Sequence, residues 1–449
     1  MCFPNFMLFV RKITKTEKAQ MHIKALQPEV KPLEYLTVAY DVSKYKHNFY
    51  THFSITGQEM ESEGEIPSSM KDVICHFEEL KKLQQIHGFH GVRIVCEPTG
   101  AYEKALLRKA QEFGFVTQYV SGEASHKAKV IESNDSGKND IKDARVIHLL
   151  ASQNRTLTCK QRSEIYAQLK FYNRRYEDYS LEAARQKTKI STLADSLFPD
   201  SGLKAKQLYM KVTIAVIEIY GFNPYLINQA SYNELKISIE KQLGRRLNSR
   251  AENLLSHIWK ASFTAEENKL PTWESNALAE ELSIAFELWE KAQAVKDVYK
   301  KKMVELVEQT EEWQPVQDAP VTAFMFSRVL AESGSWKGFP GINQLMRYAG
   351  LNLKEKSSGT YKGQIRISKK GNSLMRKCLG QMAFSGLINK GRLYHDFYTK
   401  KKEKRNGFYA LTCVMRKTLK MLYGTYKSQC QFQESRVFNQ NNANEKISA

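Results

Sequence analysis

Tyr35-Leu-Thr-Val-Ala-Tyr-Asp-Val42 sets the frame for the rest of the chain. Its run from Tyr35 to Tyr40 reads as a strand, with Asp41 at the strand's end. Working outward, a second run, Val92-Arg-Ile-Val-Cys96, closes on Glu97 in the same way. Two further acids, Asp140 and Asp143, lie in Lys138-Asn-Asp-Ile-Lys-Asp-Ala144, just before the apolar Val146-Ile-His-Leu-Leu-Ala151. Three residues of helix turn through about 300°, so these last two carboxylates leave from nearly one face. Strand ends hold carboxylates rigidly, and a helix across the sheet edge brings two more to the same point. Four anionic oxygen donors in one cleft repel each other. Divalent cations relieve the repulsion, and hard oxygen ligands favour Mg2+ or Mn2+. Two such ions about 3.5 to 4 Å apart hold the attacking and leaving oxygens of an in-line phosphoryl displacement. Any one of the four acids alone reads as a solvated surface residue; only the joint spacing points to chemistry.

The neighbouring pattern fits an α/β frame. Asn48-Phe-Tyr-Thr-His-Phe-Ser-Ile55 reads as a strand that forms a hairpin with the first, and a weaker third strand follows at about 59–65. Met70, Val73, Ile74, Phe77, Leu80 and Leu83 repeat at helical spacing. Pro98-Thr-Gly100 opens a helix towards Phe113, and Phe115 to Val120 reads as strand. Antiparallel strands first, then alternating strand and helix, predict an RNase H-like sheet. Residues 122–138, with Gly122, Ser125, Lys127, Lys129 and Lys138, read as a loop or mobile arm beside the acids.

The chain has 449 residues, too many for one ordinary core, and carries a net charge of +20. Its distribution is more telling. Lys and Arg against Asp and Glu number 16 to 17 over residues 31–155, 23 to 22 over 156–313, and 22 to 5 over 314–430. A polyanion-binding surface in the last block, beside a near-neutral acidic site, suits nucleic acid. The seven cysteines form no Cys-x-x-Cys pair and have no histidines at zinc-ligand spacing, which points to a reduced, cytoplasmic setting. No run approaches the length of a membrane span, and the apolar start precedes its charges, unlike a secretory signal.

Residues 160–313 are poor in glycine and proline. Helical spacing runs from Ile165 to Leu197 and from Trp273 to Glu312, which predicts an antiparallel coiled coil or helical spacer, a strut or a dimerisation device. Several shorter helices fill about 204–265. Further on, Thr322–Ser333 and Ile342–Ala349 read as helices, Gly350–Gly359 as a loop, and Asn372 as the N-cap of a helix reaching Ile388. Two more helices follow, at about 393–404 and 407–426. There the aromatics Tyr394, Phe397, Tyr398, Phe408, Tyr409, Tyr423 and Tyr426 interleave with lysines and arginines, as phosphate contact and base stacking require. Core packing beneath a solvated basic face is the alternative.

Taken in order, Ala39-Tyr-Asp-Val-Ser-Lys44, Glu97-Pro-Thr-Gly-Ala-Tyr-Glu103, Lys138 to Ala144, Tyr348-Ala-Gly-Leu351, Ser358-Gly359 and Ile367-Ser-Lys-Lys-Gly-Asn372 resemble the landmarks of the Piv-type insertion-sequence transposases. Those recombinases join a RuvC-like DEDD domain to a C-terminal serine domain and are also called bridge-RNA-guided. The likeness spans most of residues 33–426. It implies that Asp41, Glu97, Asp140 and Asp143 hold Mg2+ or Mn2+, and that Ser358 attacks a DNA phosphodiester to form a phosphoserine linkage, with Ser357 as competing nucleophile. It further implies a homo-oligomer, dimer or tetramer, in which one subunit's serine completes another's acidic site, together with a structured guide RNA and DNA. Around that serine, Lys354, Lys356, Lys362, Arg366, Lys369, Lys370 and Arg376 are candidate nucleic-acid contacts. One departure stands out. The stretch Gln317-Asp-Ala-Pro-Val-Thr-Ala323 carries Asp318 where the family has glycines able to approach phosphate.

The expected organisation is an N-terminal extension (1–32), an RNase H/RuvC-like DEDD domain (33–155), a helical coiled-coil region (156–313), a mostly helical basic C-terminal domain (314–428) and a polar tail (429–449). The expected protein is a cytoplasmic, nucleoid-associated DNA recombinase with no membrane partner. A RuvC-type nuclease or junction resolvase, with water as nucleophile, is the enzyme alternative. A non-catalytic nucleic-acid-binding protein is the other.

Overall fold

The computed structural model describes residues 11–12, 35–55, 58–98, 100, 102–132, 140–159, 162–265, 270–354, 357–358, 361–362 and 366–439. The chain divides into two compact units, Met1–Gln161 and Arg162–Ala449.

The first unit is built on one mixed sheet. Its strands are β1 (Arg11–Lys12), β2 (Tyr35–Val42), β3 (Lys46–Ile55), β4 (Gln58–Pro67), β5 (Gly91–Cys96), β6 (Val116–Tyr119) and β7 (Leu157–Thr158), in spatial order β1-β4-β3-β2-β5-β6-β7. β4, β3 and β2 form an antiparallel meander, β5 and β6 add parallel to β2, and β7 closes the edge antiparallel. Helices α1 (Met70–His87), α2 (Tyr102–Glu112), α3 (Gly122–Glu132) and α4 (Asp140–Ser152) supply the crossovers and cover the sheet. This is an RNase H-like α/β arrangement. β1, from the N-terminal extension, pairs antiparallel with β4, Arg11 opposite Glu61.

Strand alternation divides the burial between two layers. Leu36, Val38, Tyr40, Val92, Ile94 and Cys96 join Val73, Phe77, Leu80, Leu106 and Leu107 of α1 and α2 in one core. Ala39 and Val95 pack on the opposite face with Ala128 of α3 and Val146, Ile147, Leu150 and Ala151 of α4. The small Ala39 lets helix and sheet approach closely on that side.

The expectation of a loop over 122–138 is corrected for its first part: Gly122–Glu132 is helix α3, while 133–138, Lys138 included, lie outside the described residues. Ser121 accepts the Ala124 amide at 3.2 Å in the manner of an N-cap, and Glu123 sits in the first turn.

In the second unit α5 (Glu164–Leu197) leads to a cluster of shorter helices, α6 (Lys211–Tyr220), α7 (Pro224–Asn228), α8 (Tyr232–Leu243) and α9 (Ser249–Ser262). The chain returns along α10 (Thr272–Val307). α5 and α10 run antiparallel, with Tyr172 and Tyr179 against Tyr299 near one end and Lys189 paired to Glu281 at 2.6 Å towards the other. The short helices share a core with the far ends of this pair, including Ile190, Leu197, Phe222, Leu255, Leu282 and Phe286.

α11 (Trp313–Val316), α12 (Ala323–Ser333), α13 (Ile342–Tyr348), α14 (Ser373–Met382), α15 (His395–Lys404), α16 (Gly407–Ser428) and α17 (Glu434–Asn439) complete the unit. Trp336 is the largest fully buried side chain, stacked against Phe326, Tyr423 and Tyr426. Tyr166 and Leu169 of α5 and Met303 and Val307 of α10 belong to the same core. Among the interleaved aromatics, Tyr394, Tyr423 and Tyr426 are buried, so there the packing alternative prevails over base stacking. Phe408 is 69% exposed. Within the described residues, no helix is long and apolar enough to cross a membrane.

Candidate active site

The carboxylate positions can be built from register alone. β2 and β5 are parallel neighbours with Tyr40 beside Cys96, so Asp41 and Glu97 are the next residues along each, at adjacent carboxyl ends. Two residues back from each acid are Ala39 and Val95, which face α3 and α4. The two-residue period sends Asp41 and Glu97 to that same face. Both are half-buried.

α4 enters this face with its acids first. The His148 ring accepts the His52 amide at 3.3 Å and stacks edge-on to Tyr50. One turn earlier, Arg145 lies over the Tyr50 ring and pairs with Glu63 at 2.6 Å. Tyr50 is opposite Ala39 and Asn48 opposite Asp41, so moving back along α4 is moving towards the Asp41 end of the sheet. Asp143 lies two residues before Arg145, and Asp140 opens the helix. The side chain of Asp140 lies outside the described residues.

α3 runs along the same edge. A Cβ at Gly122 would stand 4.0 Å from the Glu97 carboxylate, and Lys129 Nζ sits 2.7 Å from Asp143 Oδ2. Between them Ser125 is 1% exposed and its hydroxyl finds no hydrogen-bond partner among the described residues. Gly122, Ser125 and Lys129 follow one another at helical spacing on one face.

The chemistry of this donor set suits a divalent ion. The acids are all hard oxygen ligands, a cationic ammonium already occupies Asp143, and a buried hydroxyl nearby lacks a partner. Each of these observations fits a hydrated divalent cation. Among the described residues no three His, Cys, Asp or Glu side chains converge as a metal cluster. Asp41, Glu97 and Asp143 thus share a face without closing on a single point, and Asp143 is drawn to Lys129 instead. The sequence places Lys129 and Ser125 beside the acids but as a loop; their helical spacing from Gly122 was the available signal.

In the second unit, the expected loop over 350–359 is partly strand. β8 (Leu353–Lys354) pairs antiparallel with β11 (Arg366–Ile367), and β9 (Ser357–Ser358) with β10 (Tyr361–Lys362). Ser358 faces Tyr361 in register, so it flanks the end of the β9–β10 pair. The side chains of Ser357, Ser358 and Lys362 lie outside the described residues, as does Lys356 altogether. Lys354 and Arg366 are directly opposite and exposed. Like charges directly opposite in a strand pair repel each other. Lys369 and Lys370 are exposed where the chain leaves β11. Arg376 is half-buried and donates to the Ala349 carbonyl at 2.9 Å, so it also braces the hairpin's root.

That root is a close crossing of two backbones. Lys369 N donates to Gly350 O at 3.1 Å, and Asn372 N donates to Tyr348 O at 2.7 Å. Gly371 has φ +140°, and a Cβ there would lie 2.5 Å from Tyr348 O and 2.7 Å from Gly350 N. Only glycine fits.

Comparison with known families bears on both units. A transposase family model, the DEDD transposase domain of the IS110 type, matches residues 38–199. The model of the Transposase IS116/IS110/IS902 family matches residues 321–399. No curated protein matches the chain. The first match holds Asp41, Glu97, Asp140 and Asp143, and the second holds the serine hairpin and its root. Together they take in more than half of the chain, in the family's order, and the chain therefore belongs to the IS110-type transposases, enzymes that bind and recombine DNA.

Proposed function

We propose that this transposase cuts and rejoins DNA by attack of the Ser358 hydroxyl on a backbone phosphodiester, with Asp41, Glu97, Asp140 and Asp143 holding Mg2+ or Mn2+. The reading is carried by one observation: Asp41 and Glu97 end adjacent parallel strands on the face that α4 approaches with its two acids leading. A divalent ion held there would neutralise phosphate oxygens and favour the ionised nucleophile. Ser358 supplies the oxygen that bonds to phosphorus as the bond to the leaving deoxyribose oxygen breaks, and that oxygen takes up a proton. Serine is a weak nucleophile at neutral pH and needs such help. Ser357 is the neighbouring competitor.

Before the ion arrives, the ammonium of Lys129 keeps Asp143 oriented and offsets carboxylate repulsion. Lys354, Lys356, Lys362, Arg366, Lys369, Lys370 and the remaining donors of Arg376 contact the phosphate backbone, in keeping with the 22 to 5 charge balance of residues 314–430. The protein works as a homo-oligomer with a structured guide RNA, on the nucleoid. Residues 33–155 form the DEDD domain, 156–313 a coiled-coil spacer and 314–428 the serine domain.

The test is adduct trapping on DNA with purified protein. Ser358→Ala abolishes the covalent protein–DNA adduct and leaves DNA binding intact, whereas Ser357→Ala keeps the adduct. Cleavage that persists in Ser358→Ala overturns the proposal, assigning the nucleophile to water if no adduct forms and to Ser357 if one does. RNA that copurifies with the protein, identified by sequencing, tests the guide.

A further inference from the structure

The serine hairpin leaves the core after Tyr348 and returns at Asn372, and both residues end on one side chain's neighbourhood. Glu332, on α12, is fully buried. Its carboxylate accepts Asn173 Nδ2 at 3.1 Å, Arg174 Nη2 at 3.3 Å and Asn372 Nδ2 at 2.9 Å. Its backbone carbonyl accepts the Tyr348 hydroxyl at 2.9 Å and Arg162 Nη2 at 2.7 Å. Asn372 uses its other side-chain atom, Oδ1, to accept the Met375 amide at 2.9 Å and so caps α14. Four elements thus meet at Glu332: α5, α12, the end of α13 that leads into the hairpin and the start of α14 that follows it.

We infer that Glu332 is the positioning residue for Ser358, its carboxylate seating the root of the serine hairpin on α5 through Asn372. A buried carboxylate short of donors is strongly disfavoured, so Glu332 draws Asn372 into one place. With Asn372 fixed, the Gly350–Gly371 crossing and the β8–β11 pair follow, and the end of the hairpin is aimed.

Simple packing does not need this bond. Arg328, 2% exposed on α12, already bridges α5 and α14 by donating to Asn173, Glu177 and Gln381. The Glu332–Asn372 bond adds a tie that ends on the hairpin's own return. The inference rests on Ser358 as nucleophile, and the experiment separates the two.

The test uses full-length Glu332→Gln, Asn372→Asp and their combination. In Glu332→Gln a donor amide replaces one acceptor, leaving two donors face to face; in Asn372→Asp two carboxylates meet. In the combination, the amide introduced on α12 donates to the carboxylate introduced at the hairpin's return. That restores the bond with its polarity reversed, and the second oxygen of the new carboxylate still caps α14. Three readouts are taken: DNA affinity, amide exchange of the hairpin at Leu353, Lys354, Arg366 and Ile367, and single-turnover adduct formation. Each single variant should keep DNA affinity within about twofold while adduct formation slows roughly 10- to 100-fold, the effect of a small misplacement. Hairpin exchange should quicken. The double variant should recover most of both losses. Adduct formation at the wild-type rate in Glu332→Gln, or a double variant no better than that single, overturns the inference. Exchange that responds as expected in a protein whose wild type makes no serine adduct upholds the seating by Glu332 and sinks the Ser358 reading instead.

Discussion

Gly371→Ala tests the crossing on which the hairpin stands. The added Cβ would approach Tyr348 O, Gly350 N and Arg347 O at 2.5, 2.7 and 2.8 Å, all backbone atoms that cannot swing aside. Relief requires the strands entering and leaving the hairpin to part. The φ of +140° adds backbone strain of about 1–3 kcal/mol. Overpacking contributes about 1–3 kcal/mol more, so the sum is roughly 2–6 kcal/mol. The control is Gly424→Ala on α16, where a Cβ would meet nothing within 4 Å. An alanine there stabilises the helix by up to about 1 kcal/mol. Thermal melting of the full chain should show Gly371→Ala well below wild type and Gly424→Ala at or above it. Adduct formation should be lost only in Gly371→Ala. Wild-type melting and joining in Gly371→Ala would refute the crossing and with it the described root.

Other perturbations reach the rest of the molecule. Titrating Mg2+ to about 100 times its dissociation constant should stabilise the first unit by about 2.7 kcal/mol; Asp41→Asn should shrink the shift and Lys129→Met, which frees Asp143, should enlarge it, whereas equal shifts in all three would refute the metal assignment. His76 is buried against Tyr40 and Phe49, and burial lowers its pKa to about 3. Its unfolded value is about 6.5, so its contribution to stability is whole above that pH and is lost as pH falls towards 3. Melting curves between pH 7 and 4 should therefore flatten in His76→Phe, and an unchanged slope counts against a buried neutral imidazole. Trp336→Ala empties the centre of the C-terminal core and removes the indole N–H that the Ser333 hydroxyl accepts at 2.9 Å. The expected loss is about 3–5 kcal/mol, read as a lower denaturation midpoint, and a loss under about 1 kcal/mol would show the indole to be peripheral.

The main frame was legible in the sequence because its signals are long. β2 and β5 are runs of apolar residues that end in acids, and α5 and α10 repeat apolar positions over 34 and 36 residues. The N-cap at Asn372 was legible too, since a short polar acceptor before an apolar run has one common use. Short elements were not. Leu353–Lys354 and Arg366–Ile367 are two residues each, too few for a period-2 pattern to emerge from polar surroundings. Gly122 and Ser125 suggested a loop by composition, yet they sit where a helix lies close to carboxylates and the sheet. The aromatics of α15 and α16 misled because composition does not tell the inner face of a helix from the outer one. Nothing in the sequence marks Glu332. A single glutamate in the apolar stretch Ala323–Ser333 acquires its role from Asn173, Arg174 and Asn372, 159, 158 and 40 residues away.

Both long helices of the second unit begin or finish in a single core: α5 starts there with Tyr166 and Leu169, and α10 ends there with Met303 and Val307. The described residues between Phe198 and Pro271 are therefore an outrigger carried on twin spars, fastened at its far end by a core of its own. The spars can be trimmed or extended together. Taking seven residues from each would draw the outrigger in by about 10 Å with both cores intact, so its reach is an adjustable dimension of the enzyme.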